Sequence, residues 1–317
     1  VDVVSAASVD IVSTASRRFI ETRHAGGLNG AYQLGKLGLS ANASVSIEPD
    51  YGSYTGGAGA TYDLFNKNFT ALLAYYHGYD IAGRHDTPWN VWNHQINTDG
   101  VKLGGTIILG RATYLAVVGD LIFENGDTSK PYRYVPLFAP GTAVPKGATI
   151  NYVNAQRLSA RALEQLPTDR QRYALSARFG HRLSWATLRL DERLYTDAWG
   201  LKATTTDARF IVTPAQRLEV GPHLRFHAQS AVDFWQRAYT MQAGLNFPAL
   251  RTGDRELGPL VNVTGGGTAR VLLGRKEDPR GVILGLDVNV TQTSYLDDIY
   301  LTQRTSEVAA LILEMSW

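Results

Sequence analysis

The sequence predicts an all-β fold: a transmembrane antiparallel β-barrel of about 14 strands, with 16 as the alternative count. Three observations predict it. Apolar and polar residues alternate with a period of two in one segment after another. The apolar side of these segments stays apolar almost throughout. The polar side carries bulky charges deep within the strands, among them Arg178, Arg189, Asp191, Arg193, Arg225 and Asp287. A soluble sandwich or lipocalin-like barrel also alternates, but those charges suit a hydrated lumen, and a continuous apolar face leaves no wet exterior.

The clearest element is 37–48, where Leu37, Leu39, Ala41, Ala43, Val45 and Ile47 alternate with Gly38, Ser40, Asn42, Ser44 and Ser46. On a strand the two sets point to opposite faces of the sheet. The same pattern recurs around 173–182, 218–229, 282–291 and 309–317. Strands are expected at 19–34, 37–48, 52–65, 69–80, 99–110, 112–124, 171–181, 184–196, 205–213, 217–228, 236–247, 259–274, 281–294 and 302–317. Many exceed the five or six residues usual in soluble sheets and reach the ~9–11 that cross a bilayer. Residues 1–18 form an N-terminal periplasmic or lumenal segment, and 19–317 the barrel, with long loops at 81–98 and 125–170. Within the second loop, 155–166 (AQRLSARALEQL), bounded by Pro167, is expected as a short helix. The cluster Gly265, Gly266 and Gly267 inside a strand suggests a bend. Counting 1–15 and 248–258 as strands gives sixteen.

Composition bounds the function. Lys and Arg number 31 against 29 Asp and Glu, a net charge of +2 over 317 residues, and this near-balance lacks the basic stripe of a nucleic-acid binder. The absence of cysteine rules out zinc ribbons, thiol catalysis and a disulfide scaffold. No apolar run reaches the ~18 residues of a helical span, and a mean hydropathy of -0.16 is blind to alternating strands. No leader is read at Val1, which leaves a mature or a cytosolic chain.

The last strand places Leu313, Met315 and Trp317 on one face and ends on an aromatic. This resembles the C-terminal insertion signal of outer-membrane barrels and points to a Gram-negative outer membrane, with its lipids as partners. The turn count conflicts with that placement. An even number of strands with both ends periplasmic puts the long loops on the periplasmic side, the reverse of the usual arrangement.

Five segments resemble, in order, one family of bacterial outer-membrane proteins, domain of unknown function 3570. They are 2–24 (DVVSAASVDIVSTASRRFIETRH), 130–138 (KPYRYVPLF), 164–174 (EQLPTDRQRYA), 195–201 (YTDAWGL) and 224–235 (LRFHAQSAVDFW), the last being the most specific. The second segment lacks the family's Asp before Pro131, Thr168 and Asp169 are shifted in the third, and Val232 and Trp235 depart conservatively in the fifth. The resemblance implies an outer-membrane barrel and says little of activity. Members of that family often neighbour a small lipoprotein, a thioredoxin-like protein and a flavin transferase, which implies periplasmic or lipoprotein partners and a redox-linked envelope complex.

Two constellations are candidate sites. The motif loops carry Arg170, Arg172, Asp197, Trp199, Gly200, Gln229, Ser230, Asp233, Phe234 and Trp235, all expected at one rim. Asp197 and Asp233 could cap turns or fork with Arg170 and Arg172. The tryptophans could brace the loops or form a partner's anchor pocket. The second constellation is a polar ladder on the lumen side: Arg178, Arg189, Asp191, Arg193, Arg209, Glu219, His223, Arg225, His227 and Asp287. It either fills and stabilises the lumen or filters solutes by charge, and the segment 132–166 could plug it. No metal site is expected: His223 and His227 are roughly 13 Å apart on a strand, and His77, His85 and His94 follow no ligand spacing. Neither a cofactor nor a catalytic residue is expected, since His227 and Ser230 point to opposite strand faces.

Three functions remain. The first is a non-enzymatic barrel serving as scaffold or conduit in a cell-envelope complex. The second is a general diffusion porin, and the third an enzyme acting on lipid.

Overall fold

The structure is a computed structural model that describes residues 22–84, 86–215, 217–241, 247–273 and 281–315. Thirteen strands form one antiparallel sheet: β1 (His24–Leu34), β2 (Leu37–Glu48), β3 (Tyr51–Leu64), β4 (Phe69–Ala82), β5 (His94–Gly110), β6 (Thr113–Gly126), β9 (Asp169–Arg182), β10 (Ala186–Asp197), β11 (Lys202–Ala215), β12 (Leu218–Gln229), β14 (Leu260–Leu273), β15 (Val282–Tyr295) and β16 (Gln303–Met315). Each strand pairs with the next in this order, so the sheet is an uninterrupted meander. Three short strands, β7 (Tyr134–Phe138), β8 (Arg157–Leu163) and β13 (Tyr239–Thr240), make a second sheet within the long loops.

The register fixes the faces. Leu190 of β10 lies opposite Phe179 of β9 and Ala208 of β11, and Ala208 opposite Leu224 of β12. Leu190 and Leu224 are 42% and 59% exposed, which in a protein of this kind is contact with hydrocarbon and not with water. The opposite face is concave. Arg193 of β10 reaches across β9 to Asp120 of β6 at 3.2 Å, and His223 of β12 reaches across β14 to Asn289 of β15 at 3.1 Å. Contacts that skip an intervening strand accord with a sheet curled toward this side. The fold is a transmembrane antiparallel β-barrel. Among the described residues β1 and β16 are not paired with each other.

Polar residues on the outer face mark the border of the apolar band. His77, Asp99 and Glu192 each lie five residues from the long-loop end of their strands, where His77 Nδ1 and the Tyr75 hydroxyl both bond Asp99, at 2.9 and 2.5 Å. Thr204 and Thr206 donate to Glu192 at 2.6 and 2.5 Å. The remaining nine or so residues of a strand span ~30 Å along the chain, about 23 Å in height at ~40° tilt, close to the ~25 Å band expected of an outer-membrane barrel.

Thirteen of the fourteen expected strands are present. The exception is 236–247, of which Tyr239–Thr240 pair parallel to β7 outside the main sheet; 242–246 lie outside the described residues. The physical reason is burial: Tyr239 is 1% exposed and packs on Val135, Leu137 and Ala162, so its apolar ring serves a loop core. The expected helix at 155–166 is also displaced. A helix, α1 (Ile150–Gln156), starts at Thr149, whose hydroxyl accepts from the Tyr152 N–H at 3.2 Å. Residues 157–163 become β8 because pairing with β7 buries Ala162. The stretch 248–258 adds no strand to the sheet. Gly265, Gly266 and Gly267 keep regular register with β15 and no bulge, and a Cβ on Gly266 would stand 2.2 Å from the Val288 carbonyl, so this cluster marks close approach of two strands. The expected N-terminal segment 1–18, the sixteenth-strand candidate 1–15 and Trp317 lie outside the described residues.

Losing one strand reverses the turn count. The three longest connections (83–93, 127–168 and 230–259) lie at one rim together with 296–302 and the turns at 49–50 and 198–201. The short links 35–36, 65–68, 111–112 and 183–185 lie at the other, where β16 ends. The conflict in the expected orientation therefore disappears. The chain has no cysteine, so single labels can be introduced. An impermeant maleimide should label Lys146→Cys, in the long loop, on intact cells and should reach Lys36→Cys only after the envelope is opened.

Candidate functional site

The long loops fold into a roof with its own core. Phe138, Val144, Ala148, Val153 and Ile299 form one buried cluster, and Val135, Leu137, Ala162 and Tyr239 another. The roof is tied to widely separated parts of the rim. The Tyr132 hydroxyl donates to Asp50 in the β2–β3 turn at 2.8 Å. The Gly147 and Ala148 N–H groups donate to the carbonyls of Asp298 and Ile299, in the β15–β16 loop, at 3.1 and 2.7 Å. On a flat sheet those two rim positions, ten strand spacings apart in the strand order, would be about 48 Å apart. The fourteen residues between Tyr132 and Gly147 cannot span that while folded into turns and β7, so the roof itself requires a curled wall and passes over the barrel mouth.

At the centre of the roof lies a buried ion cluster. Arg133, 4% exposed, donates to Glu164 at 3.3 Å and to Asp254 at 2.7 Å. Glu164 also accepts from the Thr252 hydroxyl at 2.5 Å and from the Lys130 N–H at 3.0 Å. Burial opposes the Arg133 charge, but the two carboxylates outweigh it and raise its pKa. Sequence reasoning placed Arg133 and Glu164 inside resemblance segments but gave them no role; their partners are 31 and 121 positions apart along the chain, beyond any local pattern.

The motif residues come together at the same rim. Arg170 grips Asp197 through Nε and Nη2 at 2.9 and 2.5 Å. The other Asp197 oxygen accepts the Trp199 and Leu201 N–H groups, both at 3.0 Å, and so caps the β10–β11 turn. Arg170 stacks 4.1 Å over the Trp199 ring, which meets Phe234 edge-on at 5.6 Å. Gly200, at φ +86, holds a left-handed turn, and a Cβ there would stand 2.1 Å from an Asp233 oxygen. Gln229 donates to the carbonyls of Glu256 and Gly258, both at 2.8 Å, and Ser230 exchanges hydrogen bonds with the Lys202 backbone. Trp235 packs over Gly258. Arg172 binds Glu124 at 2.6 Å and neither of the two expected aspartates. Trp199 is only 5% exposed, so it braces the roof from within.

The ladder residues line the concave face. Asp191 accepts from Arg178 at 2.8 Å and from Arg189 at 2.6 Å; Asp207 binds Arg209 at 3.2 Å and His223 at 2.8 Å. His227 contacts Thr205 at 2.7 Å and Gln229 at 3.3 Å, away from Ser230. Asp287 accepts from Asn289, and Glu219 faces Arg270 in the register. Among the described residues there is no group of three or more His, Asp or Glu able to hold a metal; His85 lies outside them.

Residues 84–276 match the family described as Protein of unknown function (DUF3570). The chain belongs to that family. The DUF3570 match begins in the β4–β5 loop and runs past β14, so it takes in most of the roof and of the ladder wall; Asp287, the β15–β16 loop and the resemblance segment 2–24 lie outside it. No curated protein matches the chain. Among solved structures it is similar to CdiB from Acinetobacter baumannii, at 12% identity and a TM-score of 0.51, covering 91% of this chain and 50% of that one. It is similar to a mutant ferric enterobactin receptor PfeA from Pseudomonas aeruginosa, at 12% identity and a TM-score of 0.52, covering 93% and 49%. The siderophore receptor PirA from Pseudomonas aeruginosa follows at 11% and 0.50, covering 92% and 51%. The DUF3570 chain spans about half the length of these proteins, and at such identity the likeness shows the fold alone, that of the transmembrane barrels of the Gram-negative outer membrane.

Truncating Asp197 would strand the Arg170 charge and two turn N–H groups. Asp197→Ala should cost the roof about 3–5 kcal/mol and expose the 127–168 loop to trypsin in detergent micelles, as read by peptide mapping. Arg172→Ala, whose pair with Glu124 lies on the wall and is less buried than the Arg170–Asp197 fork, should alter the digestion pattern less than Asp197→Ala does.

Proposed function

We propose that the protein is a non-enzymatic outer-membrane barrel that serves as a scaffold and a roofed conduit in a cell-envelope complex. One observation carries the reading: a single folded roof, with its own apolar core, is pinned from the β2–β3 turn to the β15–β16 loop above a charged concave wall. A general diffusion porin gains nothing from an ordered lid. A rigid roof, in contrast, restrains passive leakage and gives partners a fixed surface with little ordering cost on binding. The roof faces outward, so partners seated on it would be lipoproteins at the cell surface; the periplasmic partners and the redox link that the family resemblance implies would meet the short-turn rim.

Conductance in planar bilayers separates the readings. The intact chain is expected to be silent, and replacing the fully buried Phe138 with Asp, which breaks the roof core, should produce stable conductance. A steady open pore in the intact chain would favour the porin. The scaffold role is checked by mild-detergent isolation from native membranes, where stoichiometric envelope proteins should co-purify and be lost with the roof variant.

A further inference from the structure

We infer that the inner wall built by β5, β6 and β9 to β12 is a binding track for small oxyanions such as phosphate. In the middle of this wall each carboxylate is bracketed by two basic side chains. Asp191 lies between Arg178 and Arg189, Asp207 between Arg209 and His223, and Asp120 between Arg193 and Lys102, the last two at 3.2 and 3.6 Å. The carboxylates sit low: Asp191, Asp207 and Asp120 are 23, 15 and 13% exposed, while Arg178, Arg193, Lys102 and Arg209 stand above them at 48, 46, 47 and 41%. Arg225, on the same face of β12, has no carboxylate partner among the described residues. An approaching solute therefore meets guanidinium groups first.

These cations keep donors to spare. Arg178 spends Nε and Nη2 on Asp191, and Arg193 spends Nη1 on Asp120 and Ser176, which leaves Arg178 Nη1 and Arg193 Nε and Nη2 to spare among the described contacts. Guanidinium forks match the geometry of an oxyanion. Among the described residues, β2 on the opposite side offers no charge at this level to cancel the field. β2 lies six strands from β10 in the order, close to half a circuit, and its inward side chains there are Ser40, Asn42, Ser44 and Ser46. Thirteen strands spaced ~4.8 Å and tilted ~40° put the opposing backbones about 26 Å apart, which leaves room for a hydrated anion between an arginine wall and a neutral one. Low-dielectric walls of this kind concentrate ions of one sign.

Transport along the track rests on the conduit reading; binding does not. Equilibrium dialysis of the full chain in neutral detergent, with radiolabelled inorganic phosphate and with radiolabelled rubidium as the cation control, tests the binding. Saturable retention of phosphate and none of rubidium is expected. Arg225→Gln, which breaks no ion pair, and Arg193→Gln should each weaken phosphate binding by roughly tenfold, the worth of one charge-assisted contact, whereas Lys36→Gln at the opposite rim should not. Absence of retained phosphate, equal retention of rubidium, or wild-type affinity in both arginine variants would overturn the track. Phosphate flux in proteoliposomes is measured separately: binding without flux keeps the track and rejects the conduit.

Discussion

A strand that crosses hydrocarbon must satisfy its backbone through its neighbours and present lipid-compatible side chains on one face only. Most features of this structure follow from that constraint. It sets the period of two, the long regular strands and the registers that place Leu190, Ala208 and Leu224 side by side. It also explains where the constraint is relaxed. The outer-face groups His77, Asp99 and Glu192 each satisfy their polar atoms with neighbouring side chains, and they lie toward the long-loop end of their strands, where the apolar band gives way to the interface.

Freed from lipid, the other face and the long-loop rim are built on different physics. The roof is a small water-exposed fold. It has apolar clusters around Phe138 and Val135, a buried Arg133 cluster in which the ionic partners are hydrogen-bonded, and turns fixed by Asp197 and Gly200. A buried charge is tolerable only when its partners are in place, so the roof is held in one arrangement and its motif residues act together. This explains why residues scattered from 130 to 235 form one group: the rim brings them together, and each supports the geometry of the next.

Much of this was legible in the sequence, and the misses are instructive. Alternation revealed thirteen strands because lipid exposure imposes the same pattern on every one. It failed at 236–247, where Tyr239 and its neighbours alternate for the sake of a loop core that the periodicity cannot distinguish from a membrane face. It failed again at 155–166, where helix-forming residues were recruited into β8 by tertiary pairing. That single extra strand also produced the apparent conflict of orientation. The gathering of the motif loops at one rim was legible from strand lengths, and the Arg170 to Asp197 fork from charge. The Arg133 cluster was not, because contacts between residues 31 and 121 apart depend on how the loops cross the mouth.

The central claim is that one face of every wall strand meets hydrocarbon while the other meets water. A nitroxide scan along β10 reads this directly, since the chain has no native cysteine. With labels placed singly at positions 188 to 191 in liposomes, those at 188 and 190 should collide with dissolved oxygen and be shielded from a polar nickel complex, and those at 189 and 191 should show the opposite. Equal nickel access on both faces, or shielding of both, would contradict the account.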